Sequence, residues 1–417
     1  AEFAYTPAED AFVVAQLIQA GAIPLGKTNM DQFATGLVGT RSPWGACTNS
    51  FNAAYIAGGS SSGSAVAVAL GLVSFALGTD TAGSGRVPAA FNNIVGLKPS
   101  KGLLSTQGVV PACRSLDCVS IFSTTTDDVA KIFNVAAQFD PTDAYARVNL
   151  DTNRRNYGLF VKPKFRFAVP LPEQLAFFAN RSAPTIFANT VTQLEQLGGE
   201  CQAIDFSPFL QAAKLLYEGP WVAERRIATQ GVEPSAQLPV IQTILSSQAN
   251  AKAEDVFTAQ YQLQAYIQQV KPLLEQFDCV LTPTTGTIYT LAELEADPIR
   301  LNSHLGYYTN FMNLLDCTAV AVPAGFMEEG LPFGVTLFSR AFSDNRLLTL
   351  ANRLQQALQL PLGATQQALP PSTVAPALVD DRVEIVVCGA HLQGLPLNWQ
   401  LTERGGELIA KTHSAAC

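Results

Sequence analysis

The segment Gly78-Thr-Asp-Thr-Ala-Gly-Ser-Gly-Arg86 holds one acid, one base and three glycines, and no charged residue precedes it back to Arg41. Ser84 stands between two glycines, where the backbone turns freely and small neighbours leave amide groups accessible. The apolar run before it, Ala65 to Gly78, is shorter than the ~20 residues a membrane helix needs. It reads as a buried helix running into a buried strand. A strand followed by a Gly/Ser turn and then Arg86-Val-Pro-Ala-Ala-Phe91 is a unit of an α/β fold.

The same alternation continues outward in both directions. Upstream, Thr6-Pro7-Ala8-Glu9 forms a capping box with Pro at the first helical position, predicting a helix over 7–20 closed by Gly21. Ala22-Ile-Pro-Leu25 then reads as a short strand. Downstream, a helix over 184–197 closed by Gly198-Gly199 leads to a strand at 201–205, and a long helix over 253–277 leads to a strand at 278–282. Phe333-Gly-Val-Thr-Leu-Phe338 is a strand followed by a helix over 343–358. The fold class expected is α/β, a central mixed β-sheet covered by helices on both faces. Pro, Ala, Gln and Ser dominate 363–381, so residues 1–362 are expected to form one large domain and 363–381 a linker. Residues 382–417 begin a second, truncated domain, with a strand at Arg382–Gly389.

Composition narrows the partners. The chain has 417 residues, of which 14% are charged, and a net charge of -8 with no Lys/Arg run. A basic footprint for nucleic acid is therefore missing, no segment is suited to a membrane, and a small-molecule substrate is expected. Residues 1–7 lack the basic and apolar regions of a signal peptide. Eight cysteines without a CxxC pair, and three histidines, offer neither metal-ligand spacing nor a disulfide framework. No metal and no cofactor are expected, and free thiols point to the cytoplasm.

Three roles are open to the serine-rich stretches. They can be tight turns, or a phosphate cradle, although neither GxxxxGK[ST] nor GxGxxG is present. They can also carry a nucleophile, since Gly59-Ser60-Ser61-Ser62-Gly63 fits GxSxG. A histidine base is poorly supported, because His391 and His413 fall in the truncated tail and His304 is isolated. A serine nucleophile here would need another base, and a desolvated lysine can serve.

Gly58-Gly-Ser-Ser-Ser-Gly-Ser-Ala65, Gly78–Arg86, Pro88-Ala-Ala and Gly96-Leu-Lys-Pro99 together resemble the amidase signature family. The resemblance extends to Gly26-Lys-Thr-Asn-Met-Asp-Gln-Phe33 and Pro332-Phe-Gly-Val-Thr-Leu, and so covers most of residues 1–360. It implies the amidase signature fold and a Ser-cisSer-Lys mechanism without cofactor. Ser84 matches the nucleophile and Ser60 the bridging serine, with a cis Gly59–Ser60 peptide. The amides of Thr81, Ala82 and Gly83 match the oxyanion hole, and Asp80 and Arg86 brace the loop as an ion pair. The family's lysine falls upstream of Ala1 and is expected there in the native protein; Lys27 and Lys98 read as structural.

Thr-Ala-Gly-Ser-Gly-Arg, Ser-Ser-Ser-Gly-Ser, Gly108–Cys118 and Tyr217-Glu-Gly-Pro-Trp-Val-Ala-Glu-Arg225 resemble the allophanate hydrolase branch of that family, as does Gly389–Thr402 in the tail. The branch implies hydrolysis of the terminal amide of allophanate, with Tyr217 and Arg225 holding the substrate. A guanidinium suits a small carboxylate because it binds one in bidentate fashion. The competing reading puts Tyr217 and Arg225 on one helix face, with Arg225 merely paired to Glu218 or Glu224. The resemblance further implies a cytoplasmic homodimer in bacterial use of urea or s-triazine nitrogen. Other amidases of the signature, a glutaminase component of a transamidosome, and a catalytically dead scaffold are the alternatives.

Overall fold

The computed structural model describes residues 5–154, 157–158, 164–373, 385–408 and 411. Its centre is an eight-stranded sheet: β1 Phe75–Thr79, β2 Val95–Lys98, β3 Val119–Ser123, β4 Phe165–Pro170, β5 Gly199–Ile204, β6 Cys279–Pro283, β7 Cys317–Phe326 and β8 Pro332–Arg340. The order across the sheet is β1-β3-β2-β7-β8-β6-β4-β5. Along that order the pairings from β1 to β6 are antiparallel, and those of β4 with β6 and with β5 are parallel. The sheet is mixed, as the alternation of elements predicts.

Alternate residues along the strands feed two cores. Leu97, Val320, Leu337, Leu281 and Phe167 join one apolar cluster, whereas Ala319, Phe338, Val280 and Ala168 join another on the opposite face. Helices α4 (Thr126–Ala136), α5 (Ala183–Gln196) and α9 (Asp344–Leu358) cover the first face. The second is covered by α6 (Ser207–Glu218) and α8 (Ala253–Gln276), where Phe206, Phe209, Phe311 and Phe338 interlock edge-on and stacked. Both faces of most strands are buried, which is why these strands read as continuous apolar runs. Among the described residues no helix is long and apolar enough to cross a membrane.

Two short helices pack on the sheet beside one another: α2 (Ser62–Ala69) over β1 and β3, and α3 (Arg86–Phe91) over β2, β7 and β8. Helix α3 sits unusually close to the sheet because glycines lie beneath it. A Cβ at Gly96 on β2 would stand 2.6 Å from the Ala89 Cβ, and one at Gly334 on β8 would stand 2.6 Å from the Ala90 Cβ. The glycines therefore set the depth of the segment that carries Ser84.

The structure corrects three expected elements. The first helix, α1, is Phe12–Gln19 rather than 7–20, with no side-chain cap. Its start is fixed by tertiary contact, since the Phe12 N–H donates to the Gln107 carbonyl at 3.1 Å, and the Thr6 box lies outside it. Residues 22–25 form no strand; Ile23 and Leu25 are exposed and unpaired with any neighbour strand. Residues 385–388 of the expected Arg382–Gly389 strand pair with nothing in the sheet, and 382–384 lie outside the described residues. The beginning of the 363–381 stretch is fastened to the body: Ala364 N–H meets the Ala69 carbonyl, and Ser372 and Thr373 bond the Asp127 carboxylate. Residues 374–381 lie outside the described residues.

Replacing Gly334 by Ala should lift α3 from the sheet, with a stability loss of about 1–3 kcal/mol as for other overpacked sites. Thermal unfolding checks the loss.

Candidate active site

Ser84 lies in the turn between β1 and α3, and Ser60 in the turn leading into α2. Both are buried. The two turns are tied together by Ser61. Its N–H donates to the Ser84 carbonyl at 3.4 Å, its hydroxyl donates to the Thr79 carbonyl at 3.2 Å, and the Thr79 N–H donates back to that hydroxyl at 3.1 Å. The Gly59–Ser60 peptide is cis, as the motif implied. The hydroxyls of Ser60, which is fully buried, and of Ser84 have no hydrogen-bond partner among the described residues.

Asp80 organises the turn that holds Ser84. Its carboxylate accepts from the N–H groups of Gly83 (2.8 Å), Gly85 (3.1 Å) and Arg86 (3.3 Å), and from Nε and Nη2 of Arg86, each at 2.9 Å. The expected Asp80–Arg86 ion pair is present with both side chains fully buried. Burial pushes the Asp80 carboxyl upward, but the Arg86 guanidinium and the Gly83 amide outweigh it and hold it below the usual carboxylate range. Arg86 also donates to the Thr309 carbonyl, and Asn313 donates to the Asp80 carbonyl at 2.7 Å. The turn is thus pinned from β7's approach as well as from within.

This arrangement changes the expected oxyanion set. The Gly83 N–H is consumed by Asp80, because a short carboxylate captures the amide three residues on. The N–H groups of Thr81, Ala82 and Ser84 donate to no other group among the described residues. Thr81 is fixed through its hydroxyl, which donates to Asp117 at 2.5 Å, and Asp117 in turn accepts from Ala112 and Cys113.

Tyr217 and Arg225 do not share a helix. Gly219 and Pro220 break the chain between α6 and α7 (Trp221–Ala228), and the break folds Arg225 over the Tyr217 ring, 5.3 Å from its centroid. Nor is Arg225 paired with Glu224 or Glu218. Glu224 accepts instead from the Ser115 N–H (2.7 Å), the Ser115 hydroxyl (2.6 Å) and the Cys113 thiol (3.1 Å), so it ties α7 to the loop that holds Thr81. Arg225 is 2% exposed. Its Nη1 donates to the Thr35 hydroxyl and the Ala34 carbonyl, while Nε and Nη2 have no partner among the described residues. Those two donors form one edge of the guanidinium, the edge that grips a carboxylate side-on. Burial disfavours its charge, but Tyr217, then Cys113, Asp117 and Glu224, outweigh that and raise its pKa.

The remaining candidates stand apart. His304 bonds the Tyr289 hydroxyl at 2.6 Å and stacks on Phe178, His391 bonds Gln400, and His413 lies outside the described residues. Lys27 is exposed, and the buried Lys98 donates to the Pro99 carbonyl at 2.7 Å. One residue that sequence reasoning passed over is Asp31. Fully buried, it accepts from the N–H groups of Val38, Gly39 and Arg41, and its own N–H donates to the Ser60 carbonyl at 3.0 Å. A Cβ on Gly59 would stand 2.1 Å from Asp31 Oδ2, so the carboxylate packs directly on the serine turn. Its position in Lys-Thr-Asn-Met-Asp was the available signal, but only the fold shows what it touches.

The Amidase family matches residues 2–348, and the allophanate hydrolase C-terminal domain matches residues 383–417. The chain is 43% identical to urea amidolyase of Saccharomyces cerevisiae, an alignment covering 99% of this chain and 23% of that protein. The urea amidolyase of Lachancea kluyveri is 44% identical, over 96% of this chain and 22% of that protein. Among solved structures the chain superposes on Kluyveromyces lactis allophanate hydrolase with a TM-score of 0.84 at 40% identity, covering 96% of this chain and 66% of the other. It therefore spans less than a quarter of the yeast urea amidolyases and about two thirds of that allophanate hydrolase chain.

Asp80→Asn should destabilise the protein by about 3–5 kcal/mol, since it leaves the buried Arg86 guanidinium uncompensated. The sign of the pH effect follows from the lowered folded-state pKa. Asp80 contributes stability above the unfolded carboxylate range and loses it as pH falls through the folded value. Thermal unfolding from neutral to acid pH should show a shallower acid decline in the Asn variant than in the parent.

Proposed function

We propose, for a chain that belongs to the amidase family, that it hydrolyses the terminal amide of allophanate. The observation that carries this reading is the buried Arg225 guanidinium with its Nε–Nη2 edge unpartnered, on a helix whose Glu224 is linked through Cys113 and Asp117 to the turn that holds Ser84. A buried cation with an open bidentate edge calls for an anionic ligand. Allophanate is a small planar molecule with a carboxylate at one end and a carbamoyl group at the other. The similarity to allophanate hydrolase and urea amidolyase supports the same choice.

In this reading Arg225 and Tyr217 hold the carboxylate end, and Ser84 Oγ attacks the carbamoyl carbon. The Ser84 proton passes to Ser60 and on to a lysine outside residues 1–417, for which the unpartnered Ser60 hydroxyl has a free position. The carbonyl oxygen becomes an oxyanion held by the N–H groups of Thr81, Ala82 and Ser84, with Asp80 keeping the Gly83 amide out of that set. The tetrahedral adduct collapses, the C–N bond breaks, and the amino group leaves as ammonia after taking the proton back. Water then hydrolyses the acyl-Ser84 ester and releases N-carboxycarbamate, which breaks down to carbon dioxide and further ammonia. No cofactor enters these steps. The same reading makes the protein a cytoplasmic homodimer serving urea- or s-triazine-derived nitrogen, with residues 1–362 as the catalytic domain, 363–381 as a linker and 382–417 as the start of a second domain.

Ammonia release from allophanate by the full-length protein should vanish in Ser84→Ala. Arg225→Gln should raise KM for allophanate by ~10–100-fold, the loss of a hydrogen-bonded charge pair. A full-length protein that hydrolyses uncharged amides but not allophanate would retain the family and reject the substrate.

A further inference from the structure

A guanidinium can rotate about its last torsions, so an open edge is useful only if something fixes its plane. At Arg225 that fixing comes from one short turn. Nη1 donates to Thr35 Oγ1 at 3.2 Å and to the Ala34 carbonyl at 3.4 Å. Thr35 is 1% exposed, and its hydroxyl proton is already committed, donated to the Phe33 carbonyl at 3.1 Å. With its donor used, the hydroxyl can only accept, and it presents a lone pair to Arg225.

The turn that aims this hydroxyl is strained and firmly held. Phe33 and Ala34, neither of them glycine, both have left-handed backbones, with φ of 53° and 51°. Such conformations persist where the surroundings over-determine them. Gln32 bonds the Ala236 carbonyl and the Leu238 N–H, each at 2.8 Å, while Arg41 donates to the Thr35 carbonyl at 3.1 Å and the Pro298 carbonyl at 2.6 Å. Asp31, at the start of the same segment, bonds the Ser60 carbonyl through its N–H. One stretch, 31–41, therefore touches both the serine turn and the guanidinium.

We propose that Thr35 is a specificity-determining positioning residue: its hydroxyl orients Arg225 so that the Nε–Nη2 edge faces the substrate carboxylate. The inference rests on the reading of Arg225 as the carboxylate anchor. Valine at 35 keeps the shape and removes the acceptor, leaving Nη1 with the Ala34 carbonyl alone. Serine keeps the acceptor.

The test compares Thr35→Val, Thr35→Ser and Arg225→Gln in the full-length protein, with Thr35→Ala as a second removal of the hydroxyl and thermal unfolding to confirm that each variant is folded. Steady-state kinetics with allophanate and labelling of Ser84 by an uncharged serine-directed probe are the readouts. The expected result is a KM for allophanate about tenfold higher in Thr35→Val, the worth of one hydrogen bond to a charged group, restored in Thr35→Ser. The change should be carried by KM rather than by kcat or the labelling rate. Equal losses in KM, kcat and labelling would mean that Thr35 only holds the fold, and would overturn the proposal. An unchanged KM in Thr35→Val beside a raised KM in Arg225→Gln would overturn it while keeping the anchor. An unchanged KM in Arg225→Gln would remove the anchor itself, and the proposal with it.

Discussion

Five hydrogen bonds converge on the Asp80 carboxylate, and the geometry around Ser84 depends on them. A buried carboxylate without compensation is prohibitively unfavourable, so the turn must supply donors, and it does so from its own backbone and from Arg86. Satisfying the charge and shaping the turn are one event. Because Gly83, Gly85 and Arg86 all point their amides at Asp80, the chain has no freedom left to rotate Ser84. The amides of Thr81, Ala82 and Ser84 then stay uncommitted. On the proposed reading, these donors would stabilise developing negative charge without rearrangement during reaction.

The turn would still drift if the elements beneath it were loose. Helix α3 meets Gly96 and Gly334 where a Cβ would not fit, so its height over the sheet is limited at those two points by backbone contact. The serine turn is held separately, by Asp31 from one side and by Ser61 from the other. Segments far apart in sequence thus meet at one place: 31–41, 58–62, 78–86, 112–117 and 217–225. Each is short, and each closes on another through a buried polar contact rather than through apolar packing alone. Such networks are costly when half satisfied and specify one geometry when complete.

What the sequence could reveal follows from that layout. Contiguous motifs were legible: Ser84, the Asp80–Arg86 pair and the strand–turn–helix around them sit within a few residues of each other, and Ser60 lies in a compact Gly/Ser motif of its own. Long amphipathic helices such as 253–276 and 344–358 were legible for the same reason. Features decided by distant partners were not. The Thr6 box does not start α1 because Gln107 fixes the chain at Phe12, and Ile23 with Leu25 looks like a strand but finds no neighbour to pair with. The use of the Gly83 amide by Asp80 needed the folded turn. The break at Gly219 and Pro220, which sets Arg225 over Tyr217, was present in the sequence, but a helical spacing of eight residues concealed it.

The placement of Glu224 bears on selectivity. An acid adjacent to Arg225 in sequence could have neutralised it, yet its carboxylate is fully engaged by Ser115 and Cys113. The guanidinium therefore remains a buried cation with two donors unfilled. On the proposed reading, a substrate carboxylate completes that arrangement, whereas a neutral amide offers one uncharged acceptor oxygen and leaves the buried charge uncompensated. Discrimination then comes from the penalty imposed on the wrong ligand as much as from attraction to the right one. On that reading, selectivity against neutral amides comes from leaving the Nε–Nη2 edge of Arg225 open while Nη1 is held within the protein.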